Sequence, residues 1–372
     1  MSAAARIPGH ALFFPAAAIH AAVVLPASVA TMLGTIPPIP GLAFPAGHAH
    51  ELIFGFALAT VAGNQLGPTL PRTLTLLFAT WLAARLAFLA APQGLAAALA
   101  NGAFAALLAA QLAPRLFSRA KKLRNRALPV TLAILCASAV AIEVALQVGS
   151  ATMQRTVLVV AILALSLLML FMGGRIIAPA AAGQAYRQGG DLAARVQPAL
   201  EAALIVTMLA ALVAAALGAP AIAGMAAVAA SVFAAIRMTR WRLWSLRGRP
   251  DLLCLGAGYG WLAAGLACIG AALFTGRHLV TALHVVTVGA MGTLTVNVMA
   301  LTWLRLARRD PARAALPLWA TLFVAIATMS RVAADFSVGD RSVLLWTAAV
   351  CWSVAYGLLL ALFARTPRRS RT

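Results

Sequence analysis

Apolar runs of about 20 residues recur along the whole chain, parted by short polar joints, and each run can cross a hydrocarbon core of roughly 30 Å as a helix. Divided at those joints, the pattern predicts twelve spans, at about 12–33, 50–70, 72–91, 94–113, 127–148, 154–173, 198–217, 219–238, 252–274, 278–304, 315–334 and 342–364. Proline and glycine sit in most of the joints, as at Pro37-Pro38-Ile39-Pro40-Gly41, Pro92, Pro114 and Gly218-Ala219-Pro220. Spans 2–3 and 7–8 are joined so tightly that they must be hairpins. No repeat shows at residue level, and a 6+6 arrangement has no support from the pattern. The expected fold is all-α: a polytopic integral membrane protein with one transmembrane helical domain over residues 1–372.

Composition agrees with the pattern. The chain is 63% hydrophobic and 10% charged, its mean hydropathy is +0.94, and no stretch has room for a separate soluble domain. The N-terminus carries one arginine, Arg6, and the apolar run after it reaches about Leu33, too long for the core of a cleaved signal peptide. Cys136, Cys254, Cys268 and Cys351 lie singly in apolar runs with no C-x-x-C pairing, so buried free thiols are expected.

The net charge of +21 suggests nucleic acid until its distribution is read. Of 29 basic residues, 24 lie at the N-terminus or follow even-numbered spans. Arg85, Arg155, Arg277, Arg331 and Arg341 are the remainder, on the opposite side or within spans. This is the positive-inside bias, and it predicts that both termini are cytoplasmic. The basic blocks offer no aromatic stacking platform and no nucleic-acid module. The lipid bilayer is the partner they fit.

Polar groups cluster most densely in Pro45–Asn64, PAGHAHELIFGFALATVAGN, where His48, His50 and Glu51 precede an apolar helix bearing Gly55, Ala59 and Gly63. The topology puts these three polar residues at the outer boundary. His20 falls roughly 12 Å from the inner boundary at the rise of a helix, and His284 roughly 9 Å below the outer rim. His278 lies at that rim, and His10 alone lies inside. A lone intramembrane histidine usually hydrogen-bonds a neighbouring helix, and Glu51 suits a helix N-terminus. Taken together, HAHE and His284 also suit copper, iron or haem iron. Residues two apart cannot share a helix face, so either the loop is extended at His48 and His50 or one of them faces inward and the other serves a second role.

In span 10, His284, Val288, Met291, Thr295 and Met299 fall on or near one stripe, which reads first as core packing. Gly289, Gly292 and Thr293 let a second helix, or a flat cofactor, approach closely. Gly173-Gly174-Arg175 reads as a topology anchor or as a holder of a carboxylate such as a haem propionate. Glu143 and Arg85 either pair or line a path, Arg331 and Asp335 are spaced to pair, and Asn64, Asn101 and Asn297 suit interhelical hydrogen bonds.

HAHELIFGFALATVAG, LMLFMGGRIIAP (Leu168–Pro179), LHVVTVGAMGTLTVNVM (Leu283–Met299) and the FFPAAAIHAAVVLP opening around His20 together resemble the NnrS family, in order, over most of the chain. These are bacterial inner-membrane proteins described as containing haem and copper and tied to nitric oxide metabolism and nitrosative-stress resistance. The resemblance implies haem, with copper as an optional second metal. It points to His48, His50, Glu51, Gly55, Gly174, Arg175, His284, Gly289 and Gly292; with a haem bound, His50 and His284, together with His48 and His20, would be the cofactor-binding histidines and metal ligands. The chain departs from the family's pattern at Gly47, where many members have Trp, at Gln65–Pro68, and at Trp303–Arg309, where a GHTGR-like run is missing. Two readings follow. One is a twelve-helix haem protein acting on nitric oxide or a related small molecule, its electrons coming from quinone or another membrane electron donor. The other is a cofactor-free transporter or channel for a small solute, proton or metal ion. A metal-binding sensor or assembly factor is a third.

Overall fold

The computed structural model describes residues 6–192, 196–246, 248–336 and 338–366. The basic residues Arg195, Arg247, Arg368, Arg369 and Arg371 of the charge pattern lie outside these. Among the described residues, eleven helices are long and apolar enough to cross a membrane. They are α1 (His10–Met32), α4 (Pro71–Ala90), α5 (Leu95–Arg119), α6 (Ala127–Gln147), α7 (Ala151–Arg187), α8 (Pro198–Ala216), α9 (Pro220–Arg240), α10 (Pro250–Thr275), the α11–α12 segment (Leu279–His284 and Met291–Leu306), α13 (Ala315–Ala333) and α14 (Arg341–Arg365). The remaining predicted span is helical in pieces: α2 (Pro45–His50), a π-helical stretch (Glu51–Ala57) and α3 (Leu58–Gln65).

Several predicted boundaries shift; α5 runs through Pro114 to Arg119, so that proline lies inside a helix and not in a joint. The second helix starts at Pro45, whose fixed φ and missing N–H suit a first helical position. His48 and His50 are therefore helical and not in an extended loop. The predicted end of span 6 at residue 173 is overrun: α7 continues through Gly173, Gly174 and Pro179 to Arg187. Those glycines admit neighbouring side chains and do not end the helix. A two-residue antiparallel pairing, β1 (Ile7–Pro8) with β2 (Pro68–Thr69), was not predicted.

The chain divides into two compact units, Met1–Ala161 and Ile162–Thr372, with the boundary inside α7. In the first, α1 packs on the Pro45–Gln65 segment where Gly63 admits the Phe14 ring; a Cβ there would lie 2.5 Å from it. In the second, α8 and α9 form the predicted hairpin through Gly218 at φ +70°. Helices α9 and α10 cross closely at Gly224 and Gly270, where a Cβ on either would lie 2.8 Å from the other's carbonyl oxygen. The Ser231 hydroxyl donates to the Ala263 carbonyl across the same pair at 2.6 Å. Large apolar side chains such as Val23, Leu86, Leu99, Val206 and Met329 face outward, as lipid contact requires. The cysteine expectation holds in part. All four are free, and Cys136 and Cys254 are buried, but Cys351 is half-buried and Cys268 is exposed on an outward face.

Candidate functional site

Unit Met1–Ala161 gathers ionisable side chains from four helical segments in its interior. Glu51 and His50 are fully buried, and His20, Arg85 and Glu143 nearly so. Arg85 Nη1 donates to Glu51 Oε1 at 2.5 Å. Its other terminal nitrogen donates to Asn101 Oδ1 on α5, and Asn101 in turn donates to the Ala97 carbonyl at 3.0 Å. His20 Nε2–H reaches the Glu51 carbonyl and Glu51 Oε2, each at 3.2 Å. His50 lies between two carboxylates, with Nδ1 3.3 Å from Glu51 Oε1 and Nε2 2.8 Å from Glu143 Oε1. Its ring stacks on Phe88 at 3.7 Å between centroids and 8° between planes.

Local backbone features place these groups. The π-helical stretch begins at Glu51, directly after His50, and such insertions are rare and often mark functional sites. Within it, a Cβ at Gly55 would lie 2.7 Å from His20 Nε2 and 2.8 Å from Arg85 Nη1, so glycine makes room for the polar network. The Gly55 carbonyl accepts a hydrogen bond from Trp81 Nε1 at 2.9 Å. His48, two residues before His50, turns away and bonds Ser28 Oγ through Nδ1 at 2.8 Å. The inward and outward roles left open for the pair are thus divided: His50 faces in.

The charges can be counted. One guanidinium and two carboxylates sum to minus one if both histidines are neutral. Both nitrogens of His50 face carboxylate oxygens.

In unit Ile162–Thr372, His284 is half-buried. Its Nδ1–H donates to the Val280 carbonyl at 2.7 Å, so in the neutral ring Nε2 carries the lone pair. A second π-helical stretch, Val285–Ala290, starts directly after it. Nearby, the Thr281 hydroxyl donates to Asp335 Oδ2 at 2.7 Å and Arg331 pairs with the same carboxylate at 2.8 Å, as its spacing predicts. Burial acts to raise the Asp335 pKa, but the Thr281 hydrogen bond and the Arg331 charge outweigh it and hold this carboxyl, beyond the end of α13, below the usual range. Gly289 faces Trp261 and Thr328, and Gly292 faces Trp352 and Val324, so both hollows hold side chains. His278 stacks on Phe336 at 5.2 Å, in keeping with a rim residue.

The Arg175 guanidinium lies 4.3 Å over the Phe171 ring of its own helix. The space at Gly174 is filled by Arg237 of α9, which donates to Glu201 Oε1 at 3.0 Å and to the Leu170 carbonyl at 3.2 Å. Asn297 donates to Thr321 Oγ1 at 2.7 Å, the interhelical bond expected of it.

These motif residues lie on a chain that matches the family model described as "NnrS protein" over residues 7–371. The chain belongs to the NnrS family. Comparison with curated proteins finds no match.

Among the described residues, no group of three or more His, Cys, Asp and Glu side chains is arranged to hold a metal ion. If a haem is bound, His284 has one feature of a ligand: its ring is oriented at Nδ1 by a backbone carbonyl, as metal-bound histidines usually are. His50 does not fit as folded, because carboxylates occupy both of its nitrogens, and His20 directs Nε2 at Glu51. Copper, which would need a fuller ligand set, is not matched by these side chains. The partners of His50 escaped the sequence reading: Glu143 and Arg85 were singled out there, but as a pair with each other or as lining a path, whereas Arg85 pairs with Glu51 and Glu143 with His50. The available signal was that single charges in spans 2, 3 and 5 must all be satisfied inside the bundle.

Proposed function

We propose that the protein binds or turns over nitric oxide or a related small species through a haem, in the bacterial inner membrane with both termini cytoplasmic. Membership of the NnrS family is the observation that carries this reading. The sorting of basic residues to one side supports the orientation. His284, its ring held at Nδ1 by the Val280 carbonyl, would serve as a ligand to the haem iron. Haem iron with an open position would bind a diatomic gas, and iron with two axial imidazoles would carry electrons. Electrons for turnover would come from quinone or another membrane donor. The competing reading, a cofactor-free transporter, draws its support from the buried ionic cluster around Glu51.

The test is pigment and iron. Wild-type protein purified in detergent should absorb in the haem region and contain iron. His284→Ala should insert normally and lose most of both. Colourless, iron-free wild-type protein after haem supplementation would overturn the proposal and favour transport.

A further inference from the structure

We propose that Arg237, Trp241 and Tyr259 form a binding site for a neutral carbonyl oxygen that enters from the bilayer on a quinone ring. Its purpose, to seat the membrane electron donor, rests on the haem reading; the site itself stands on these three side chains. All three are buried in unit Ile162–Thr372. Each has a donor with no hydrogen-bond partner among the described residues: Arg237 Nε, Trp241 Nε1 and the Tyr259 hydroxyl. Buried donors are normally paired, because an unpaired one has given up its bond to water for nothing. These three lie together. The Trp241 and Tyr259 rings meet edge-on at 4.7 Å between centroids, and the Arg237 guanidinium lies 5.5 Å from the Trp241 ring. Adjacent glycines of α7 make the room: Gly173 faces Tyr259 and Trp241, and Gly174 faces Arg237.

Charge and surroundings select the missing partner. Arg237 already has its counter-charge, since Nη2 donates to Glu201 Oε1 at 3.0 Å and Nη1 to the Leu170 carbonyl at 3.2 Å. An anionic ligand would add surplus negative charge to that pair in a low-dielectric interior. The unpaired N–H and O–H groups therefore call for an acceptor without net charge. A lipid ester and a quinone both carry such a carbonyl oxygen. The aromatic walls of Trp241 and Tyr259 favour the one that carries it on a flat ring. The site is separate from the half-buried histidine of the same unit. Gly258, next to Tyr259, faces Thr293 and Leu294, which lie roughly 13 Å beyond His284 along its span at the rise of a helix. Arg175, set over Phe171, is not called on.

Duroquinone is titrated by calorimetry into the full-length protein purified in detergent, with protein-free micelles giving the linear partition background and phosphatidylglycerol titrated in parallel. Wild-type protein should bind duroquinone saturably and phosphatidylglycerol only by partition. Tyr259→Phe keeps the ring and removes a hydroxyl that has no partner, so it should unfold no sooner than wild type. It should nevertheless bind duroquinone about three- to tenfold more weakly, the loss of one hydrogen bond. Wild-type protein without saturable quinone binding would leave the three donors to water and overturn the proposal, an outcome that needs no variant to fold. Saturable binding of phosphatidylglycerol in place of duroquinone, or equal quinone affinity in Tyr259→Phe, would also overturn it. The readout is bound quinone and not pigment, so its failure is distinct from failure of the haem reading.

Discussion

The two units use the same local device and line it differently. In each, a histidine (His50 or His284) is followed at once by a π-helical stretch, and a glycine (Gly55 or Gly289) falls five residues later. In the first unit the space at the glycine admits His20 and Arg85, and the histidine is sealed among carboxylates. In the second it admits Trp261 and Thr328, and the histidine is half-buried with one nitrogen held by its own helix. A π insertion sets where a side chain points. Its neighbours decide whether that side chain is sealed among charges or held only in part.

The strongest way to break this contrast is to remove the charge that fills the space at Gly55 and has no counterpart at Gly289. Arg85→Ala leaves Glu51 buried without its guanidinium and should cost about 3–5 kcal/mol, read as a lower unfolding midpoint in detergent. The two glycines sharpen it next. Gly55→Ala puts a methyl against paired, buried polar groups and should cost about 1–3 kcal/mol. Gly289→Ala, whose added methyl would meet its neighbours at 3.1 Å, needs shifts of a few tenths of an ångström and should cost less. Equal losses in the two variants would contradict the different linings. The smallest effect is expected at Asp335. Its pKa is depressed in the fold, so its contribution is present above the unfolded value and is lost as pH falls through the folded one. Asp335→Asn should lower stability near neutrality by about 1 kcal/mol and flatten that acid-side loss, measured by thermal unfolding against pH.

Much of this architecture was legible from hydropathy. Apolar runs long enough to span, bounded by proline and glycine, place the helices because lipid admits backbone only when its hydrogen bonds are satisfied internally. The HAHE motif located the first cluster for a similar reason: polar groups at a membrane boundary are costly unless they serve something. Other features carry no local signal. Nothing in ELIFGFA or VVTVGA announces a π-helical stretch, and the common offset from His50 to Gly55 and from His284 to Gly289 gains meaning only beside it. Gly173-Gly174 looked like the end of a helix because glycine is a poor helix former. The packed neighbours Tyr259 and Arg237 override that propensity, and they are distant in sequence. Which of His48 and His50 faces inward likewise depends on Ser28 and Glu143, contributed by other helices.

The most direct test of the account is the absorption spectrum of purified wild-type protein, reduced with dithionite and then exposed to nitric oxide. A haem band that shifts with the gas, and that His284→Ala removes, is the predicted result. A haem band that ignores nitric oxide, or one of full strength in His284→Ala, would contradict it.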